Sequence, residues 1–176
     1  CYYNQADEVE LFVNGKSQGV KCKDADNLHV VWRVKFEPGT VKVVARRKDE
    51  VIAEKEIRTA GKPAEIRLTP DRSVLAADGK DLCFVTVEVL DEEGNLCPNA
   101  DNLVNFTVRG NGFIAGVDNG NPVSLERFKD KKRKAFYGKC LVVIQNDGKP
   151  GKTELTATSE GLQQAVVKVS AKDCKL

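Results

Sequence analysis

Apolar and polar residues alternate with a period of two along most of this chain, which predicts β-strands and almost no helix. In the first third the alternation predicts strands at residues 8–13, 17–22, 29–36, 40–48 and 51–58. Asn14-Gly15 predicts a tight hairpin after the first strand, because both residue types tolerate a positive φ. The third strand would place Trp32, the single tryptophan, on one face with Val30, Val34 and Phe36, which favours a core position.

A linker at residues 58–63 separates this part from the rest, since Gly61 and Pro63 interrupt any ladder. A strand opens the second part at 64–70, and further strands are predicted at 73–76, 82–90, 103–109, 112–117, 133–145, 152–158 and 163–171. Short strands separated by turn residues are typical of an immunoglobulin-like sandwich. We therefore expect an all-β chain with two immunoglobulin-like β-sandwich modules in tandem, at 1–60 and 61–176. The smaller module is marginal alone and should lean on a neighbour.

Charge and composition argue against several classes of partner. The chain has 28 basic and 26 acidic residues, evenly spread, and so lacks the basic excess that nucleic-acid binding needs. No apolar run approaches about 18 residues, so no membrane span is expected. The chain opens at Cys1, which we interpret as the start of an excised fragment with any targeting signal upstream. Six cysteines without a C-x-x-C pair and one histidine predict no metal site and no cofactor.

Four further segments, read together with Asn14-Gly15-Lys16, carry a resemblance to a known family. They are residues 66–72 (IRLTPDR), 77–81 (ADGKD), 116–122 (GVDNGNP) and 133–138 (RKAFYG). In order and spacing they are similar to the C-terminal modules of bacterial β-galactosidases of glycoside hydrolase family two, and the match covers roughly residues 1–171. Tyr137 departs from the family, where a small polar residue such as Asn is expected.

The resemblance implies non-catalytic modules that brace a catalytic barrel of the same parent chain and shape the rim of its active site. The family's catalytic glutamates lie in that barrel, so none can be carried over to this chain. The resemblance also implies a periplasmic or extracellular location. A galactoside or a polysaccharide is a further partner that it allows. Two other functions stay open: a carbohydrate-binding module that anchors the enzyme on polysaccharide, and an adhesin-like structural array.

The acidic residues give no sign of catalysis by this chain itself. Glycoside hydrolysis needs two carboxyl groups across a sugar, one with a raised pKa. Here the acids fall at hairpin tips and outward strand positions, as at Asp49, Glu50 and Asp91, where charged side chains are usually just solvated. His29 is expected on the outward face of a strand, without the geometry of a Ser-His-Asp triad.

The best candidate for a binding site is the loop at residues 118–122. Asp118, Asn119 and Asn121 offer oxygens and amides suited to sugar hydroxyls or to Ca²⁺, although a single carboxylate is few for calcium. The alternative is a structural loop whose side chains cap their own backbone, as Asx-turns do. This alternative is the commoner use of such residues.

Two other features are interpreted as structural. Residues 129–134 form a basic run, expected to be a solvated edge, with contact to an acidic surface or acidic glycan as the alternative. Cys83 and Cys140 are expected to point inward from their strands as buried free thiols. The alternative is a disulfide between the sheets, as in antibody domains.

Overall fold

The structure is a computed structural model that describes residues 1–24 and 26–173. The regular elements within these residues are all β-strands, so the all-β prediction is confirmed. The chain divides into two compact units, Cys1–Thr59 and Ala60–Leu176. Each unit has its own sheet or sheets and its own buried residues.

The first unit is a four-stranded antiparallel sheet in the order β2-β1-β3-β4. Its strands are β1 (Glu8–Val13), β2 (Lys16–Lys21), β3 (Thr40–Arg47) and β4 (Glu50–Arg58). The predicted hairpin at Asn14 and Gly15 joins β1 to β2, with φ values of 49° and 76°. Val9, Val30 and Ala45 form the centre of a small apolar cluster.

The strand predicted at residues 29–36 is wrong. This segment forms a single bridge, between Tyr2 and His29, and no strand. Val30 is buried and Trp32 is half-buried, but Val34 and Phe36 are 42% and 76% exposed. Alternation decides which side a residue would face, but it does not supply the neighbouring strand that a ladder needs. The described strands of this unit therefore form one sheet, where the sequence predicted a sandwich.

The described part of the second unit contains two sheets. One has the order β5-β7-β11-β9 and the other the order β10-β8-β12-β13-β6. Their strands are β5 (Glu65–Pro70), β6 (Val74–Ala76), β7 (Leu82–Leu90), β8 (Leu103–Gly110), β9 (Gly112–Asp118), β10 (Lys132–Lys134), β11 (Lys139–Asn146), β12 (Gly151–Thr158) and β13 (Ala165–Lys172). All pairs are antiparallel except β13 with β6.

Alternating residues of both sheets build the core of the second unit. Val85, Val87 and Val142 of one sheet and Val104 and Leu155 of the other are completely buried. The period-two pattern of the sequence thus places its apolar residues between two layers, as in a sandwich. Burial of these side chains is the main favourable contribution to the stability of this unit.

The single strand predicted at residues 133–145 is also wrong, because the chain changes sheets within it. β10 pairs with β8 in one sheet and β11 with β7 in the other. The break contains Tyr137 and Gly138, with φ values of 51° and 75°. A Cβ at position 138 would lie 2.3 Å from the backbone oxygen of Cys97, so glycine is required there.

Candidate functional site

The three predicted site residues lie together at the end of β9 and in the loop that follows it, where their oxygens cap the turns of this loop. Asp118 Oδ1 accepts hydrogen bonds from the backbone N–H of Asn119 at 2.7 Å and of Gly120 at 3.2 Å. Asn119 Oδ1 accepts from the N–H of Asn121 at 3.0 Å, and Asn121 Oδ1 from that of Val123 at 3.1 Å. This is the arrangement of a structural loop whose side chains cap their own backbone, the alternative to a binding site.

Arg133 is the residue that sequence reasoning missed. Its side chain, expected in a solvated basic run, is only 1% exposed. Nη2 donates to Asp118 Oδ1 at 3.2 Å and to Asn119 Oδ1 at 3.0 Å, while Nη1 donates to the backbone oxygen of Glu126 at 3.1 Å. No local pattern in the sequence indicated this burial. Arg133 lies in β10 opposite the buried Val104, and residues directly opposite share a face of the sheet, but only the pairing of β10 with β8 reveals this.

The contacts of Arg133 join the two ends of the loop at residues 118–128. The guanidinium lies 5.4 Å from the centre of the Phe128 ring, within the range of a cation–π contact. The buried Nε lies 3.7 Å from Glu126 Oε2, and it makes no hydrogen bond within the described residues. Asn119 Nδ2 donates to the backbone oxygen of Lys134 at 2.9 Å. A buried guanidinium with several partners holds such a loop in one conformation.

Few polar side-chain atoms of the loop remain available to bind a ligand. Among the described residues, the hydrogen bonds given above leave Asp118 Oδ2 and Asn121 Nδ2 for a partner. The loop also carries apolar residues at its tip: Val123 and Leu125 are 81% and 100% exposed. The arrangement can therefore accept a hydrogen bond at Asp118 Oδ2, donate one from Asn121 Nδ2 and make an apolar contact.

Four carboxyl groups of the described residues have shifted pKa values, and in all four the pKa is lowered. Hydrogen bonds from Ser17 and Arg46 lower the pKa of Glu10, and backbone N–H groups of Lys80 and Asp81 lower that of Asp78. Asp91 accepts a hydrogen bond from the N–H of Gly61 at 2.7 Å. This bond is the largest of the effects that together lower the pKa of Asp91 to about 2. A general acid for this reaction needs a raised pKa.

A model of the glycoside hydrolase family 2 C-terminal domain 5 matches residues 66–168, which is more than half of the chain. The chain belongs to this family. The first 53 residues match a second domain model, DUF4982, a domain of unknown function.

Related proteins place this family 2 domain within much longer chains. It is 86% identical over 173 residues to Beta-galactosidase BoGH2A of Bacteroides ovatus, covering 98% of this chain and 20% of that protein. A Beta-galactosidase of Thermoanaerobacter pseudethanolicus is 33% identical over 108 residues, covering 61% of this chain and 13% of that protein. The chain thus spans about a fifth or less of the length of these curated relatives.

A solved structure supports the same assignment of the fold. A glycosyl hydrolase family 2 member from Bacteroides cellulosilyticus superposes with a TM-score of 0.89 at 35% identity. The match covers 96% of this chain and 22% of that structure.

Other predicted features of this chain have structural partners. Trp32 Nε1 donates to the backbone oxygen of Gly19 at 3.2 Å, and its ring packs against the cluster around Val9. Cys83 and Cys140 are buried free thiols, and burial raises their pKa values to about 11 and 12.

Within the described residues, no cluster of His, Cys, Asp and Glu could hold a metal ion, and no helix could span a membrane.

Proposed function

We propose that this chain is a non-catalytic accessory part of a longer β-galactosidase-type glycoside hydrolase, where it braces the catalytic barrel of the same parent chain. The identity of 86% to a named β-galactosidase, of which the chain covers a fifth, supports this proposal. The catalytic residues of such an enzyme would lie in the remaining four fifths. The isolated chain should therefore not hydrolyse a chromogenic β-galactoside.

The observation that carries the bracing role is a bare apolar segment in the first unit. Leu28, Val31, Val34 and Phe36 are all exposed within nine residues of the chain. We call residues 28–36 the bare segment. Exposed apolar side chains that recur over a short segment mark an interaction surface, because water contact with them is unfavourable. A partner that is permanently present, such as another domain of the same chain, would cover them.

Rim shaping is the finer part of the proposal and concerns the loop at residues 118–128 in the second unit. Asp118 and Asn121 retain polar atoms, and Val123 and Leu125 project apolar side chains beside them. β9 and the buried Arg133 hold the base of the loop, so its tip can keep a fixed shape against a neighbouring domain. Contact with the substrate would use Asp118 or Asn121, and Asn119 would hold the shape of the loop through its bonds to Arg133 and Lys134.

Bracing is tested with two substitutions in the bare segment, Val31→Ser and Phe36→Ser together, in the full-length parent enzyme. We expect the catalytic part to melt several degrees lower, while the isolated chain of 176 residues keeps its stability because both side chains are exposed in it. The control is Val51→Ser, at an exposed position of β4 outside the segment. An unchanged melting temperature of the parent enzyme would contradict bracing through this segment.

Rim shaping is tested by the kinetics of the full-length enzyme with Asp118→Ala and Asn119→Ala. A lost hydrogen bond to substrate is worth on the order of 1 kcal/mol, so we expect kcat/KM to fall about five-fold for Asp118→Ala. Asn119→Ala removes bonds that shape the loop, to Arg133 and to the backbone of Lys134, and should lower kcat/KM or the thermal stability. If both variants keep the kcat/KM and the thermal stability of the parent, the loop is neither a site nor a brace.

A further inference from the structure

A groove of about 720 Å³ lies on the second unit, away from the polar side chains of the loop at residues 118–122. Its lining residues come from β8, β9, β11 and the segment before β10: Phe106, Thr107, Val108, Gly112, Phe113, Ile114, Ala115, Lys129, Asp130, Lys131 and Gln145. This volume is in the range of pockets that bind small molecules. We call it the β8–β9 groove.

The topology explains why the sandwich is open at this place. β9 is the last strand of its sheet and pairs with β11 alone. In the other sheet the three residues of β10 pair with β8 along Leu103–Asn105, and the N–H of Phe106 donates a last hydrogen bond to the backbone oxygen of Lys131 at 2.7 Å. The two strands therefore leave a gap between the sheets, which the segment at residues 129–131 borders.

The lining combines an aromatic ring with polar and charged groups. Phe113 is 47% exposed, whereas Phe106 is buried. Lys129 and Lys131 are exposed at the wall, and the Asp130 carboxylate already accepts a hydrogen bond from the N–H of Lys131 at 2.6 Å. Two cations against one carboxylate leave the groove with an excess of positive charge.

These groups fit a sugar chain better than they fit an added strand of polypeptide. A sugar ring offers a C–H face for packing on an aromatic ring and hydroxyl groups for hydrogen bonds. An added strand needs an unbroken row of N–H and C=O groups, but Ala115 is an extra residue that makes a bulge in β9. Such bulges and nearby lysines are the usual protection of a strand edge against pairing.

We propose that the β8–β9 groove binds an acidic saccharide, a chain of sugar rings that carry carboxylates. Phe113 packs under one ring, and Lys129 and Lys131 pair with a carboxylate. The site is separate from the bracing role, because it needs only residues of the second unit. It would hold the parent enzyme on acidic polysaccharide rather than act on the bond that is cleaved.

The test is a titration of the full chain of 176 residues with oligogalacturonides of three to five rings, followed by calorimetry and by amide chemical shifts. We expect millimolar or tighter binding that weakens with added salt, and shift changes concentrated in β8, β9 and residues 129–131. The same oligomers with their carboxyl groups reduced to alcohols are the matched neutral ligand, and they should bind several-fold more weakly.

Four variants identify the groove as the site. Phe113→Ala should weaken binding about ten-fold, and Lys129→Ala with Lys131→Ala should remove the preference for the acidic oligomer. Lys132→Ala and Phe84→Ala are the controls: both residues are exposed, but neither lines the groove, so binding should stay unchanged. The lysine variants alter exposed side chains and should fold normally, which keeps the test valid even if Phe113→Ala destabilises the chain.

Three results would overturn the proposal. The first is no binding of the acidic oligomer at millimolar concentration. The second is equal binding of the reduced oligomer, or equal loss with Lys132→Ala, which would indicate nonspecific attraction to the basic run. The third is tighter binding of an extended acidic peptide than of the saccharide, which would indicate a strand-pairing site.

Discussion

β4 of the first unit is exposed along all nine of its residues, whereas β11 of the second unit has every other residue buried. Both strands contain recurring apolar residues, such as Val51 and Ile57 in β4 and Val142 and Ile144 in β11. The difference is what covers each strand: β11 lies inside a sheet that faces another sheet of its own unit, whereas β4 is the last strand of the one sheet that the described strands of the first unit form. β1 of that sheet has every other residue buried, because residues outside the strands, such as Val30 and Trp32, pack against it. A period-two pattern therefore predicts a strand, but burial needs another segment that covers it.

The same contrast appears in the size of the two cores. The described part of the second unit contains a cluster of 15 buried apolar residues, and the cluster in the first unit has Val9, Val30 and Ala45 at its centre. Buried apolar area sets most of the stability, so the second unit should unfold at higher denaturant. The first unit, with 59 residues, is in the size range where a single small core is marginal.

The largest expected effect comes from Leu155→Ala in the core of the second unit. We expect a loss of about 3 kcal/mol in the free energy of unfolding, because the side chain is completely buried and leaves a cavity. Val51→Ala, at an exposed position of β4, should change it by less than about 0.5 kcal/mol. Urea unfolding followed by circular dichroism measures both.

Trp32 makes this comparison sharper, because the single tryptophan reports on the first unit alone. Its fluorescence transition should stay in place when Leu155→Ala shifts the transition seen by circular dichroism. If both signals shift together, the two units unfold cooperatively and the contrast drawn above is wrong.

A smaller effect is expected from Arg133→Met, which removes a buried cation from the second unit. The loss should be about 1–3 kcal/mol, since Asp118, Asn119 and the backbone of Glu126 lose a charged donor. Amide exchange should become faster at residues 118–128. Lys132→Met, at the exposed neighbouring position in β10, is the control, and equal effects of the two variants would show that Arg133 does not hold the loop.

Asp91 should make the stability of the second unit depend on pH. Its pKa in the folded chain is about 2, below the ordinary 3.8, so the folded state binds fewer protons. The stabilisation is complete above about pH 3.8 and is lost as the pH falls toward 2. Asp91→Asn should flatten this part of the stability curve measured by circular dichroism. A curve that keeps its full slope in the variant would assign the effect to other carboxyl groups.

The smallest expected effect is a gain from Tyr137→Asn. Tyr137 has a φ of 51°, a left-handed conformation that Asn adopts more readily than Tyr. We expect thermal unfolding to show a gain of about 0.5 kcal/mol. Tyr137→Ala loses the same ring without the preference of Asn for this conformation, so a similar gain in that variant would contradict the explanation.

Much of the fold could be predicted from the sequence because most of its strands depend on local patterns. The bounds of β1, β5 and β7 follow directly from alternation between turn residues, and the β1–β2 hairpin follows from Asn14 and Gly15. The position of the loop at residues 118–122 after a strand was predictable for the same reason. These properties depend on side-chain period and backbone preference, which each short segment carries by itself.

Tertiary structure alone decided the features that depend on distant partners. Val34 and Phe36 alternate like core residues, but no second sheet of the described first unit covers them. Residues 133–145 look like one strand, yet the chain changes sheets at Tyr137 and Gly138. Arg133 is buried because Val104 opposite, and Asp118 and Asn119 far along the chain, surround it. A local pattern sets how a segment can fold, whereas burial and pairing are set by segments that only the complete fold brings together.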